Sequence, residues 1–187
     1  MIVGDKSSFA IESSITCAYE NMSVRALGFF TIFIAGQCYG VHSPDATMLA
    51  CSFDEVCRRI ANRGGHTANF SNDPVALNIA NAFVGAIYSQ TRHDSTLFGM
   101  SLSKFQDQIY TNHLIWAPDG DEAFDDGSHV LQFDVGSRVR LIAFKRPESE
   151  GKQDALNDVW LDASTYYEVL QSWRIRFEDE WAARPKI

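Results

Sequence analysis

Residues 26–44 hold no Asp, Glu, Lys or Arg, and this uncharged run constrains the fold more than any other feature of the chain. A stretch that long has to leave water, either into a bilayer or into a protein core. Its apolar heart, residues 26–35 (Ala-Leu-Gly-Phe-Phe-Thr-Ile-Phe-Ile-Ala), is about half the roughly 20 residues that a membrane helix needs, and Gly28, Gly36, Gln37 and Gly40 interrupt the run. Phe, Ile and Thr on both sides of the pleat instead specify a central β-strand covered on both faces. Gly36 marks a turn into a further strand at 37–41. In residues 9–16, Phe9, Ile11 and Ile15 fall on one face, as a half-buried strand requires, so these segments read as an antiparallel meander.

Helical periodicity takes over further along. Ser52 stands three residues before Glu55, the reciprocal capping pattern that satisfies free amides at a helix start. The helix predicted over 53–63 places Phe53, Val56, Cys57 and Ile60 inward and Arg58, Arg59 and Arg63 toward water. Gly64-Gly65 closes it. A second helix over 74–90 opens on Pro74, turns Val75, Ile79, Ala82, Phe83, Ala86 and Ile87 inward, and is almost uncharged, which predicts deep burial. Residues 109–116 form a short apolar strand candidate. Residues 128–134 and 138–145 alternate as a hairpin around Gly136-Ser137, and residues 159–162 suit a last short strand. Ser164 then caps a helix over 165–182 with the seam Tyr166, Leu170, Trp173, Phe177 and Trp181, ended by Pro185.

This order lacks βαβ regularity. It predicts an α+β fold over residues 1–187, a single domain with a mainly antiparallel sheet and about three helices packed on it. Phe30, Ile32, Phe83, Leu170 and Trp173 are expected in the core. Such a core is affordable: 45% of the 187 residues are apolar and 12% aromatic, and a chain of this size buries about 70% of its unfolded surface without disulfides or metals. Cys17, Cys38, Cys51 and Cys57 form no Cys-x-x-Cys pair, and no basic-then-apolar leader opens the chain, so reduced thiols and a cytoplasmic location are expected.

Chemistry is hard to find in the chain. No two of the five histidines (His42, His66, His93, His113, His129) have the spacing that puts two ligands on one helix face, so no metal or other cofactor is expected. Gly64-Gly65-His66 lacks the Gly-Lys-Ser/Thr of a phosphate loop, and no Gly-x-Ser-x-Gly elbow is present. The segment that stands apart is 105–137, where Asp107, Asp119, Asp121, Glu122, Asp125, Asp126 and Asp134 meet no Lys or Arg. Asp119 and Asp121 match the first and third positions of a calcium loop, but Ala123 and Phe124 occupy the fifth and sixth and no Glu closes it, so calcium is rejected. The whole chain has 24 acidic residues against 16 basic ones, a formal charge of −8. That field repels nucleic acid and anionic membranes and favours a basic protein partner. The candidate partner-binding residues are therefore Trp116, Asp119, Asp121, Glu122, Phe124, Asp125 and Asp126, acids bracketed by aromatics.

Short motifs near the start narrow the reading. Gly4-Asp5, Phe9-Ala10-Ile11-Glu12, the strand from Phe29 to Ile34, Gly36, Tyr39-Gly40, Pro44-Asp45, Thr47, Leu49 and Arg63-Gly64 resemble the immunity protein 42 family of bacterial polymorphic toxin and contact-dependent inhibition systems. The likeness covers about the first 90 residues closely and the remainder by length and element order. It implies a small cytosolic protein, encoded beside a toxin, that binds the toxin's C-terminal domain and blocks it, and it brings no catalytic residues. The acidic surface agrees, since it suits the cationic cleft of a basic nuclease-type domain. Two other classes stay open: a hydrolase using Asp121 or Asp125 with His113 or His129, and a regulatory module whose acidic loop is inert.

Overall fold

A computed structural model describes residues 1–88, 96–116, 122–146 and 156–187. Its elements in chain order are β1 (Ile2–Asp5), β2 (Phe9–Ala18), β3 (Ala26–Ile34), β4 (Gln37–Tyr39), β5 (Thr47–Met48), α1 (Leu49–Ala61), α2 (Ala76–Tyr88), α3 (Leu102–Thr111), a 3-10 turn (Glu122–Phe124), β6 (Ser128–Val135), β7 (Arg138–Lys145), β8 (Asn157–Asp162) and α4 (Ala163–Ala183). The strands form two sheets in place of one. The first runs β1-β2-β3-β4 with β5 also paired to β3, the second β6-β7-β8, and every pairing between these strands is antiparallel. The α+β architecture expected from the sequence is what the chain adopts.

Alternation along the strands decides the layers. Ile11, Ser13 and Ile15 of β2 and Phe30, Ile32 and Ile34 of β3 turn to the same side, where they are buried with Phe53 of α1 and Leu170, Trp173 and Phe177 of α4. Gly28 lets α1 come this close: a Cβ there would lie 1.9 Å from the Ser14 carbonyl oxygen and 2.9 Å from Leu49 Cδ1. Val130, Val139, Leu141 and Ala143 of the second sheet join this core. The other face of that sheet, with Leu131, Phe133, Ile142 and Phe144, buries a second cluster against Phe83 of α2 and Phe105 and Ile109 of α3. The three-stranded sheet is thus apolar on both faces, whereas α1 and α4 pack on one face of the five-stranded sheet.

Several local expectations are corrected. The helix expected to start on a Ser52–Glu55 box begins a turn earlier at Leu49, directly after β5, with Met48 as a cap that has no side-chain bond. Ser52 Oγ is buried without a partner, and Glu55 turns to Arg58 and Arg59. In place of the strand expected at 109–116, Ile109–Thr111 close the helix α3, whose Ser101 hydroxyl accepts from Lys104 N, and residues 112–116 leave it as a turn and irregular chain. Only Ile115 bridges to a strand, opposite Leu131. On α2, Ile79, Phe83 and Ala86 are buried but Val75, just before it, is 48% exposed, so that element covers a core without lying inside one. Its expected last residues, 89–90, lie outside the described residues. The cap of α4 is Asp162, which accepts from Thr165 N at 3.1 Å, and Ser164 is an exposed helical residue.

Candidate partner-binding site

The acidic segment is fastened to the edge of the five-stranded sheet. The 3-10 turn Glu122–Phe124 lies against the end of β4, where Val41 N donates to the Ala123 carbonyl at 2.7 Å and Gly40 N donates to Ser128 Oγ at 3.1 Å. Gly40 has φ +112°, and a Cβ on it would stand 2.9 Å from the Ala123 oxygen. A side chain there would push the turn away.

This anchoring sorts the candidate residues by where their side chains end. Phe124 is 7% exposed and meets Phe30 edge-on, with centroids 6.3 Å apart. Trp116 is 1% exposed, stacks on Phe30 at 6.0 Å and donates Nε1–H to Tyr166 Oη at 2.8 Å. Both are therefore corrected from surface aromatics to core residues; large apolar rings pinned under a turn lower the free energy by leaving water. Glu122 and Asp125 are exposed. Asp126 is half-buried, taking Lys145 Nζ at 2.5 Å and Ser128 N at 3.1 Å. Asp119 and Asp121 lie outside the described residues.

Two acids of the segment that looked unbalanced along the chain are held elsewhere in the fold. Hairpin register puts Lys145 opposite Ser128, within reach of Asp126. Asp134 accepts from Gly64 N at 2.7 Å, from His66 N at 3.3 Å and from the Tyr167 hydroxyl at 2.9 Å. Beside it lies a buried polar network that sequence reasoning missed. Arg59 is fully buried, donates to Gln132 Oε1 at 2.8 Å and to the Ile115 carbonyl, pairs with Glu55 at 2.9 Å and lies 4.5 Å over the Trp116 ring. Tyr166 donates to the same Gln132 oxygen at 2.6 Å. Burial raises the Tyr166 phenol well above its ordinary range, and burial followed by the Asp134 charge raises Tyr167, so both serve as neutral donors. Every partner in this network is another part of the chain, which makes it a brace between α1, α4 and the second sheet.

The two histidines of the rival hydrolase reading occupy different surroundings. His113 helps line a cavity of about 60 Å3 with Glu55, Arg58, Ile109, Tyr110 and Ile115, and its neighbour Glu55 is engaged by two arginines. His129 packs among Phe83, Tyr88 and Phe144. Among the described residues no three His, Cys, Asp or Glu side chains converge as a metal site needs, and no helix is long and apolar enough to cross a membrane.

A different surface was not singled out from the sequence. The outward side of the five-stranded sheet carries Leu27, Phe29, Thr31 and Phe33 of β3, with Glu12 opposite Thr31 and Ser14 opposite Phe29. Glu12 sits between Lys6 Nζ at 2.6 Å and His42 Nε2 at 3.9 Å.

The family model for immunity protein 42 matches residues 1–176. The chain belongs to the immunity protein 42 family. The match runs well past the first 90 residues that carried the resemblance, through β6, β7, β8 and most of α4. Among solved structures, this immunity protein 42 chain is similar in fold to CdiI from Burkholderia dolosa AUO158, with a TM-score of 0.58 and 16% identity over 94% of this chain and 99% of that one. A comparison with curated proteins found no significant match. Membership in an immunity protein family implies a cognate toxin as the partner.

Proposed function

We propose that this protein binds and neutralises the C-terminal domain of a cognate contact-dependent inhibition toxin, a basic nuclease-type domain, by covering its active site in the cytoplasm. The family match over residues 1–176 carries this reading, and the CdiI neighbour of similar fold is consistent with it. The acidic turn supports the sign of the partner: Glu122 and Asp125 are exposed on a turn whose backbone is held by Val41 N on the Ala123 carbonyl and Arg146 N on the Gly127 carbonyl, so little of that backbone has to be ordered on binding. Asp119 and Asp121 belong to the same acidic stretch. Catalytic turnover has no part in this reading.

Co-expression tests it. The toxin C-terminal domain encoded beside this chain is expressed with and without the protein, growth is followed, and toxin activity is titrated in vitro. Growth restored by the protein and activity abolished at one equivalent are expected. Unrescued growth, or a complex that still turns over substrate at the full rate, would reject neutralisation by active-site cover.

A further inference from the structure

The outward side of β3 departs from what an antiparallel sheet shows to water. A sheet with one wet face alternates apolar-in and polar-out, yet three of the four outward residues are Leu27, Phe29 and Phe33, each partly exposed, around a buried Thr31. Met48 pairs beside Leu27 and is 40% exposed, and Ile2 pairs opposite Glu12 and is 47% exposed. The residues of β3 suit a strand covered twice, while the fold covers it once with α1 and α4. A mismatch of this kind between local pattern and tertiary packing marks a functional surface.

We propose that this open face is the seat of the cationic toxin domain, with Phe29 and Phe33 as anchors and Glu12, Asp45, Glu122 and Asp125 as an acidic rim. The inference rests on the immunity reading above and adds where the partner docks. Charge complementarity selects the occupant. Glu12 is on the face, and Asp45 is at its β2 end, next to Pro44 whose carbonyl takes the Thr16 hydroxyl at 2.5 Å. The turn bearing Glu122 and Asp125 borders the face at β4, and Asp126, which follows in that turn, is matched by Lys145. Among the described residues, five carboxylates thus face the two ammonium groups of Lys6 and Lys145.

The chemistry the face accepts is visible in its own residues. Lys6 Nζ lies 4.0 Å over the Phe33 ring while paired with Glu12. His42 meets Phe29 edge-on at 4.4 Å and points Nε2 toward the same carboxylate. A partner's Lys or Arg arriving at Phe29 finds the same combination of ring and carboxylate, the environment in which a cation gains from both.

Binding kinetics of the full chain with the adjoining toxin's C-terminal domain test this. Phe29→Ala with Phe33→Ala is expected to raise the dissociation rate at least about tenfold. Ser14→Arg, which adds bulk and positive charge beside Phe29 without touching a core residue, is expected to abolish capture and growth rescue, and it keeps the test open should the double variant fold poorly. Ile175→Ala with Asp179→Asn, exposed positions on α4 across the sheet, should bind as wild type. Wild-type capture with both face variants within twofold of it overturns the docking face and leaves the immunity reading standing; loss in the α4 variant equal to that of the face variants overturns it too. A wild-type chain that captures nothing and rescues nothing sinks both. Sedimentation showing a dimer that Ser14→Arg splits would assign the face to a second copy of this chain and overturn the proposal.

Discussion

Arg59 shows how much one side chain decides and how little of that is local. It sits three residues after Val56, on the stripe that α1 buries, and four after Glu55, yet the expectation turned it to water with Arg58 and Arg63, and its burial corrects that expectation. The expectation followed arginine's usual exposure. What makes burial tolerable is Gln132, 73 residues away in sequence, and no local pattern connects the two. His66 is a second such residue, and its titration gives a test. Its Nδ1 is 3.1 Å from the carbonyl oxygens of both Asn112 and His113, so Nδ1 carries the proton of the neutral ring. Nε2 is buried without a partner. Burial first, and then the Arg59 charge, lower the His66 pKa below its ordinary 6.5. The unfolded chain therefore takes up a proton near pH 6.5 that the folded chain refuses, and stability falls as pH drops from there toward the folded value. Urea midpoints are expected to decline from about pH 7 to about pH 5, and His66→Gln, which can still donate to the two carbonyls, should flatten that decline. Parallel slopes for the two proteins would show that His66 does not contribute.

Among the elements, those with a strong repeat were readable and those set by their neighbours were not. The β6–β7 hairpin and the α4 seam of Tyr166, Leu170, Trp173, Phe177 and Trp181 follow from period-2 and helical spacing, and the structure buries the first four and half-buries Trp181. The helix α3 shows its apolar side only at Leu102, Phe105 and Ile109, with Phe105 and Ile109 buried. The apolar residues that follow Ile109 masked this spacing and suggested a strand. The start of α1 is set by β5, a two-residue strand that exists because Thr47 and Met48 pair with Gly28 and Leu27. Its pattern cannot be seen without β3. Helix starts can be tested individually. Because Asp162 accepts from Thr165 N and Ser164 lies inside α4, Asp162→Ala should cost about 1 kcal/mol of stability, while Ser164→Ala should stay within about 0.5 kcal/mol. Chemical denaturation of both variants decides it, and the reverse order would return the cap to Ser164.

For the molecule as a whole, the acidic balance was plain from composition, but its distribution depends on the folded layers. Asp134 is spent inside the brace around Tyr167 and Asp126 on Lys145, so the field that a partner meets comes from carboxylates such as Glu122 and Asp125 that the turn holds outward. Trp116 and Phe124, read from sequence as the aromatic part of that site, support the turn from beneath. The open side of the first sheet was equally out of reach, because which face of β3 stays uncovered depends on where α1 and α4 dock. If the partner is cationic, Glu122 and Asp125 act mainly before contact, through steering. Glu122→Gln with Asp125→Asn should then slow association with the toxin domain severalfold at about 0.01 M salt, where the Debye length is about 30 Å, and much less at about 0.1 M, where it is about 10 Å. Dissociation should change little, since solvated rim charges contribute weakly once the surfaces have met. Association rates that match wild type at both salt concentrations would mean that these two carboxylates do not steer. A salt-independent rise in dissociation would instead put them inside the contact, buried against the toxin domain.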